Sequence, residues 1–333
     1  MEFNKLTEIP NLHQIQLVEQ QLRGVIVHTP LQFARKLSER FGATIYFKRE
    51  DLQDVRSYKI RGAYHKISNL PQSLRIKGVV AASAGNHAQG VAFACESLKI
   101  QATIFMPKTT PLQKLDAVRL FGGDYVRIKL IGNTYDEAFI ASRKFCLATD
   151  AVYIPPFDDY DIVAGQATVA LEIVQQLKQQ PLDYLFVPFG GGGLAAGSSL
   201  TCQYLSPLTK IIACEPKEAA SFSVSLALGK VTSLESIDPF VDGAAVKQIG
   251  QLTFDICKNH LQAVQAVEKK LICQAMLDLY QFESILTEPA GALSVSALPF
   301  FANDIQGKTV VCIISGGNFD PKRFPEIQIC AKS

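Results

Sequence analysis

The sequence lacks the features that would direct it to a membrane, to nucleic acid or into the secretory route. No stretch approaches the roughly 18 apolar residues that a membrane span needs, and Met1 to Pro10 contains no apolar core of a secretory signal. The 33 basic and 31 acidic residues leave a net charge of +2 without a polybasic run. We therefore expect no membrane and no nucleic acid as partner.

Paired metal-binding or disulfide-forming cysteines are also lacking. The eight cysteines lie singly along the chain, with neither a CxxC pair nor a Cys/His spacing that would indicate zinc. We interpret them as small core residues of a protein in a reducing, cytoplasmic compartment. With 333 residues, 48% of them hydrophobic, the chain can bury a large core in one or two domains.

What the sequence does contain is an alternation of apolar runs and helical patterns, which is typical of βα units and parallel sheets. The predicted strand and helix pairs are Ala102 to Met106 with Pro111 to Phe121, Tyr125 to Ile128 with Thr134 to Cys146, and Val152 to Ile154 with Tyr160 to Leu177. The pattern predicts an α/β protein with two open-sheet domains. Pro71 and the Pro155-Pro156 pair are the candidate hinges, so we predict a small domain of residues 74–155 inserted in a large one of residues 1–73 and 156–333, with the active site in the cleft between them.

The segment Ser57 to Ala63 places one lysine, Lys59, among small, aromatic and aliphatic neighbours at a predicted helix start. A lysine that forms an imine must lose its proton near neutral pH. Partial burial and a neighbouring cation, here Arg56 or Arg61, would favour the neutral amine. By itself the segment leaves open that Lys59 is an ordinary solvated lysine.

A first glycine-containing loop, Ser83 to Gly90, follows the apolar run Gly78 to Ala82 and leads into a helical pattern. The unpaired N–H groups at such a helix start suit a carboxylate or a phosphate. Asn86 can both donate and accept a hydrogen bond there. The alternative, that Ser83 or Asn86 only caps the helix, remains open.

Two further loops follow buried apolar strands. The four consecutive glycines that open the loop Gly190 to Gly197 leave backbone amides bare, so that they can converge on a phosphate. The same loop also fits a dinucleotide fingerprint, with Glu215 after the next strand, or a tight packed turn. The third loop begins with Ser315, at the carboxyl end of the strand predicted at Thr309 to Ile314, where ligands of open α/β sheets collect.

Together these segments resemble the pyridoxal-phosphate-dependent threonine dehydratases, whose superfamily shares the fold of the tryptophan synthase β subunit. The resemblance extends from about Gln16 to about Pro325 and is specific because many short motifs occur in the same order. Besides the Lys59 segment and the three loops, these motifs are Pro155 to Asp159, Ala164 to Gln166 and Glu288 to Ala292. The resemblance implies the two-domain architecture called fold type II. The resemblance also argues against a dinucleotide-binding site, because such a site needs neither Lys59 nor Ser315.

The resemblance implies a role for each of these residues. Lys59 would hold pyridoxal 5′-phosphate as an imine and act as the catalytic base, Asn86 would bond the 3′-oxygen of the ring, and Ser315 would face the pyridine nitrogen. The cofactor phosphate would be held by Gly190, Gly191, Gly192, Gly193 and Leu194. The substrate carboxylate would be bound by Ser83, Ala84, Gly85, Asn86 and His87. For the His87 imidazole itself, a structural hydrogen bond is the favoured interpretation over a proton shuttle.

The implied reaction is the deamination of L-threonine to 2-oxobutanoate and ammonia, the first step of isoleucine biosynthesis, with L-serine as a poorer substrate. A homodimer or homotetramer is expected. The segment Phe240 to Lys247 resembles the biosynthetic dehydratases more than the racemases. The alternatives are a serine racemase or a 3-hydroxyaspartate dehydratase on the same scaffold, or a catalytically silent cofactor-binding protein.

Two features of relatives are not expected in this chain. Glu215 and Ala219 match two positions of a divalent-cation site that some relatives carry, notably serine racemases, but Ser221 stands where those have an acidic residue. We therefore assign no metal. Biosynthetic relatives commonly continue into a carboxy-terminal domain that binds isoleucine, whereas only Phe319 to Ser333 follow the third loop. We expect hyperbolic kinetics in threonine and no inhibition by isoleucine.

Overall fold

The computed structural model describes residues 6–332. Its α-helices are α1 (Leu12–Leu22), α2 (Arg35–Phe41), α3 (Lys59–Ser68), α4 (Gln72–Arg75), α5 (Asn86–Leu98), α6 (Leu112–Gly122), α7 (Tyr135–Thr149), α8 (Tyr160–Leu177), α9 (Gly193–Leu205), α10 (Ser221–Leu228), α11 (Gln251–His260), α12 (Lys269–Glu283), α13 (Pro289–Ser296) and α14 (Phe324–Lys332). Its strands are β1 (Leu31–Phe33), β2 (Thr44–Arg49), β3 (Val79–Ala82), β4 (Ala102–Met106), β5 (Val126–Leu130), β6 (Val152–Tyr153), β7 (Tyr184–Pro188), β8 (Lys210–Pro216), β9 (Ala263–Val267) and β10 (Thr309–Ile314).

The strands form two sheets, which confirms the predicted α/β class. The larger sheet has the order β1-β2-β10-β7-β8-β9 and is parallel except for the edge pair of β1 with β2. The smaller sheet has the order β5-β4-β3-β6 and is parallel throughout. The smaller sheet takes all its strands from one continuous part of the chain, between Val79 and Tyr153, whereas the larger sheet uses strands from before and after that part.

The larger sheet is buried on both faces, as predicted for its apolar strand at Thr309–Ile314. Val311 and Ile313 of β10 pack with one hydrophobic cluster, while Val310 and Cys312 pack with another. This alternation follows from the two-residue period of a strand, because successive side chains point to opposite faces. Helices therefore cover both sides of the sheet, and the loops at its carboxyl edge are left accessible for a ligand.

Helix α3 packs into the core of the smaller sheet, although it precedes that sheet in the chain. Ala63 and Ile67 of α3 lie in the same hydrophobic cluster as Val79 and Ile104, and Ile162 of α8 joins them. The first residue of α3 is Lys59, as the predicted helix start requires. Packing of α3 against the smaller sheet thus fixes Lys59 next to the loops of both sheets.

The predicted boundaries between residues 102 and 177 need only small corrections. The strand at Ala102–Met106 and the helix at Tyr160–Leu177 are confirmed as predicted. The helix predicted to end at Cys146 continues to Thr149, since no glycine or proline interrupts it, and it ends where Asp150 adopts a left-handed conformation with φ of 55°. Among residues 6–332, no helix combines the length and the apolarity needed to cross a bilayer.

Candidate active site

The three loops singled out in the sequence and the Lys59 segment meet in one place. Strands β10 and β7 are neighbours, so the Ser315 loop and the glycine loop leave the same edge of the larger sheet. The Lys59 segment adjoins the Ser315 loop, because the Tyr58 N–H donates to the Ser315 carbonyl at 3.3 Å. A Cβ atom on Gly90 would lie 3.0 Å from the Lys59 carbonyl oxygen. A larger residue at this position would therefore push α5, with the Ser83 loop at its start, away from Lys59 by a few tenths of an ångström.

Lys59 is half-buried where these loops meet. Its Nζ donates to the Pro156 carbonyl oxygen at 2.7 Å and lies 5.4 Å from the centre of the Tyr58 ring. Burial lowers the pKa of Lys59 to about 8, against the opposing effect of the Glu288 carboxylate. An amine with this pKa is neutral in an appreciable fraction at pH 7, which imine formation and proton abstraction both require.

The sequence suggested Arg56 or Arg61 as a second cause of the lowered pKa of Lys59, but burial is the cause that lowers it and neither arginine contributes. Arg61 donates from Nη2 to Glu50 at 2.7 Å and from Nη1 to Glu172 at 2.6 Å, so carboxylates compensate its charge. Burial would raise the pKa of Glu50, but the charge of Arg61 brings it below the ordinary value. Residues two positions apart on a helix face different sides, which explains why Arg61 cannot act on the Lys59 amine.

The glycine loop forms a cradle of unpaired amides. Within residues 6–332, the backbone N–H groups of Gly190, Gly191, Gly192, Gly193 and Leu194 donate no hydrogen bond. Gly192 precedes α9 with a φ of +90°, and a Cβ atom on Gly191 would lie 2.1 Å from the Phe157 ring. These glycines thus expose several N–H groups at the start of α9, where the helix dipole adds to the attraction of an anion.

The Ser83 loop offers fewer amides than predicted. The Ser83 N–H donates to the Phe105 carbonyl at 3.1 Å, and the Gly85 N–H donates to the Ser83 hydroxyl oxygen at 3.2 Å. Among the described residues, the N–H groups of Ala84, Asn86 and His87 have no acceptor. Those three amides at the start of α5 are the ones that can bind a carboxylate without breaking an existing hydrogen bond.

The Asn86 side chain connects the loops of the two sheets. Its Nδ2 donates to Glu288 Oε1 at 2.5 Å, while its Oδ1 accepts a hydrogen bond of 2.8 Å from Asn318 Nδ2. Burial raises the pKa of Glu288 to about 7, with Asp242 adding to the effect. The site therefore contains a second group, besides Lys59, that titrates near neutral pH.

Ser315 and His87 are both buried beside the site. The Ser315 hydroxyl donates to the Ala290 carbonyl at 3.2 Å, so it must turn before it can bond any other acceptor. His87 Nε2 bonds the Ile154 carbonyl at 2.9 Å, and burial lowers the pKa of His87 to about 3. The imidazole is therefore neutral and held in a structural hydrogen bond, as the favoured interpretation has it.

Glu215 lies at the end of β8, away from these loops in the chain. Its Oε2 accepts from the Phe222 N–H at 3.1 Å, and its Oε1 accepts from the Ser223 N–H at 3.0 Å and from the Ser223 hydroxyl. Both carboxylate oxygens thus accept hydrogen bonds from the first turn of α10. Within residues 6–332, no group of three or more His, Cys, Asp or Glu side chains is placed to hold a metal ion.

Sequence reasoning overlooked three contributors to the site: Glu288, Asn318 and the Pro156 carbonyl. Glu288 was part of a recognised motif but received no role. A lone acid in the apolar stretch Ile285 to Ala292 is a usable signal, since an ionisable group in such a stretch is either capping a helix or functional. Asn318 and Pro156 carry no comparable signal, because their contribution depends on which residues surround them in space.

Comparison with known families gives a match over most of the chain. The model of the family described as pyridoxal-phosphate dependent enzyme matches residues 22–316. The biosynthetic L-threonine dehydratase IlvA of Halalkalibacterium halodurans is 48% identical over 317 residues, which are 95% of this chain and 76% of that protein. The chain thus spans about three quarters of that relative.

Solved structures agree with this match. The processed form of threonine deaminase isoform 2 from Solanum lycopersicum superimposes with a TM-score of 0.90 at 37% identity, over 100% of this chain and 92% of that one. Maize serine racemase superimposes with a TM-score of 0.89 at 29% identity, over 97% of this chain and 98% of that one. The two-domain fold expected from the sequence is therefore confirmed.

Proposed function

Because this chain belongs to the family of pyridoxal-phosphate-dependent enzymes, we propose that it is an L-threonine dehydratase, which deaminates L-threonine to 2-oxobutanoate and ammonia at the start of isoleucine biosynthesis. The proposal is supported by relatives that are named biosynthetic L-threonine dehydratases at 48% identity. The single structural observation that carries it is the convergence of the Lys59 amine, the cradle of unpaired amides after β7 and the unpaired amides at the start of α5.

The cleft fits pyridoxal phosphate by its own chemistry. The unpaired N–H groups of Gly190 to Leu194 would hold the phosphate, and Asn86 and Ser315 offer polar groups for the 3′-oxygen and the nitrogen of the ring. Lys59 supplies an amine of low pKa for the aldehyde. The bound cofactor supplies an electron sink that makes the Cα proton of an amino acid acidic.

The chain's own residues bind and orient the substrate. The amides of Ala84, Asn86 and His87 would receive the carboxylate, which holds Cα close to Lys59. Lys59 Nζ then takes the Cα proton, a transfer that its pKa of about 8 allows at neutral pH. The Phe157 ring packs against Gly191 at the phosphate end of the cleft.

Keto-acid release from a panel of substrates tests this function. The holoenzyme is given L-threonine, L-serine, D-serine and 3-hydroxyaspartate in separate assays, and we expect the highest kcat/KM for L-threonine, with L-serine second. D-serine formation from L-serine, or a preference for 3-hydroxyaspartate, would replace threonine dehydration by the corresponding activity. Absence of turnover with every substrate, in protein that carries the cofactor, would identify a silent binding protein.

The phosphate cradle is tested by Gly191→Ala. The added methyl group would lie 2.1 Å from the Phe157 ring, so the loop must shift and the N–H groups lose their convergence. We expect the dissociation constant of the cofactor, measured by fluorescence titration, to rise about 100-fold, since a displacement of about 1 Å in a positioned site has an effect of this size. Gly191→Ala combined with Phe157→Ala is the matched control, in which the space is restored and affinity should partly recover.

We also propose the domain division given by the hinges. Residues 74–155 would form the small domain, and residues 1–73 with 156–333 the large one. This division is supported by the two separate sheets, and Asn86, Gln113 and Lys114 of the small part contact Glu288, the Phe319 carbonyl and Asp242 of the large part. A homodimeric or homotetrameric state and a cytoplasmic location complete the proposal, and sedimentation measurements test the first of these.

A further inference from the structure

A buried acidic side chain, Glu288, lies where the loops of the two sheets meet. It directly precedes Pro289, the first residue of α13, and it is 4% exposed. A Cβ atom on Gly316 would lie 2.4 Å from Glu288 Oε1, and one on Gly243 would lie 3.2 Å from it. The carboxylate is thus enclosed by the Ser315 loop on one side and by the segment around Gly243 on the other.

The contact with Asn86 fixes the orientation of that amide. Asn86 Nδ2 donates to Glu288 Oε1 at 2.5 Å, and Asn86 Oδ1 accepts a hydrogen bond from Asn318 Nδ2. Asn318 Nδ2 also donates to the Val55 carbonyl at 2.9 Å, which identifies it as the nitrogen of that amide. With Glu288 as acceptor and Asn318 as donor, only one of the two amide orientations satisfies both bonds. The second N–H of Asn86 Nδ2 remains available for an oxygen of the cofactor ring.

We propose that Glu288 is a positioning residue of the cofactor site, which orients the Asn86 amide toward the ring oxygen and whose negative charge helps to hold a proton on the Lys59 nitrogen. The proposal rests on the proposed function only through the cofactor, not through the identity of the substrate. It goes beyond that function because it assigns the acid that couples the Ser83 loop, the Ser315 loop and Lys59.

The charged groups around Glu288 set the sign of the effect. Burial raises the pKa of Glu288 to about 7 and Asp242 raises it further, while the hydrogen bond from Asn86 and the charge of Lys114 oppose this. The Glu288 charge in turn raises the pKa values of Lys59 and of the Tyr58 hydroxyl. Glu288 is therefore charged above a pH of about 7, where it raises the pKa of the Lys59 nitrogen. Below that pH Glu288 becomes neutral and this effect is lost.

The experiment follows the visible absorption spectrum of the bound cofactor against pH in the holoenzyme. Glu288→Gln keeps the shape of the side chain and removes its charge, so we expect the spectral midpoint to move down by about one pH unit, the effect of losing one nearby opposite charge. Glu215→Gln is the matched control, because Glu215 is an equally buried carboxylate with a raised pKa outside the cleft. Its midpoint should equal that of the wild type.

Glu288→Asp distinguishes the effect of the charge from that of the side-chain length. It also provides the test if the Glu288→Gln variant binds no cofactor. Aspartate keeps the charge but is shorter, so we expect a midpoint shift less than half that of Glu288→Gln, together with weaker cofactor binding as the Asn86 amide loses its partner. An unchanged midpoint in cofactor-loaded Glu288→Gln, or an equal shift in Glu215→Gln, would overturn the proposal. Because the titration uses no substrate, its outcome is independent of whether L-threonine is the substrate.

Discussion

Lys48 is fully buried and Lys59 is half-buried, and the two lysines differ in which groups contact their amines. Lys48 Nζ donates to Glu172 at 2.6 Å, to the Thr29 carbonyl at 2.7 Å and to Gln176 at 3.0 Å. Lys59 Nζ has, among the described residues, the Pro156 carbonyl as its hydrogen-bond acceptor. Burial lowers the pKa of both amines, and carboxylates oppose it in both cases: Glu172 and Glu50 at Lys48, and the more distant Glu288, which accepts no hydrogen bond from the amine, at Lys59.

The comparison teaches that burial alone does not make a lysine reactive. Glu50, Glu172, Lys48 and Arg61 form a buried cluster in which two cations are matched by two anions. Such a cluster is costly to break, because removing one partner leaves an uncompensated buried charge. Lys59 Nζ donates to a neutral carbonyl instead, so burial lowers its pKa to about 8 although the Glu288 charge partly opposes this.

The largest effect is expected from Lys59→Ala. We expect turnover to fall by about 10³-fold or more, and the borohydride-stable cofactor adduct to disappear, because the imine-forming amine and the base are removed together. Thermal unfolding should show no loss of stability, since a half-buried amine without a carboxylate partner is deleted. Near-wild-type deaminase activity in this variant would contradict the role given to Lys59.

Lys48→Met should have the opposite effect to Lys59→Ala: stability should fall while catalysis is unchanged. Removing one cation leaves the buried Glu50 and Glu172 with Arg61 alone, and breaking such a cluster costs about 3–5 kcal/mol of unfolding free energy. Urea unfolding measures this loss, and kcat per folded molecule should stay unchanged. If stability were unaffected, or if catalysis fell as far as in Lys59→Ala, the two lysines would not differ in the way described.

The pH dependence of imine formation measures the same contrast directly. Only the neutral amine reacts, so the rate of cofactor capture by the apoprotein should rise with pH, reach half its maximum near the Lys59 pKa of about 8 and level off about one pH unit above it. At pH 7 about a tenth of the Lys59 amines would be neutral, against fewer than about one in a thousand for an ordinary lysine. A plateau reached only above about pH 10 would mean that burial does not act on this amine.

The smallest effect is expected for an exposed pair. Lys217 Nζ lies 2.7 Å from Glu268 Oε1, with both side chains more than half exposed. Lys217→Met should leave the urea midpoint and kcat unchanged, because solvent screens such pairs and side-chain entropy offsets them. A clear loss of stability here would show that ion pairing by itself, without burial, explains the importance of Lys48.

Much of the fold and of the site could be predicted because the signals are local. The helix start at Lys59, the turn after β3 and the glycine loop after β7 all follow from apolar period and backbone freedom within about ten residues. The family resemblance and the cofactor are confirmed by the match over residues 22–316. The individual roles of Asn86, Ser315 and the amide donors stay predictions.

The electrostatic part of the site could not be predicted in this way. The sequence placed Arg61 beside Lys59, but on α3 the two side chains diverge, and Arg61 is bound to Glu172, 111 residues along the chain. Likewise, the number of amides available in the Ser83 loop depends on the Phe105 carbonyl in the neighbouring strand. Sequence neighbours were thus a poor guide to charge neighbours.

By itself the sequence determined which reactive groups this protein has and on which turns they lie, since both depend on residue type and short-range pattern. Only the tertiary structure decided what lowers the pKa of the Lys59 amine, because a pKa depends on loss of water and on charges nearby in space. The partners that matter come from far along the chain: Pro156 is 97 residues from Lys59, and Glu288 is 202 residues from Asn86. Chain folding brings them together, and no local pattern encodes their distance.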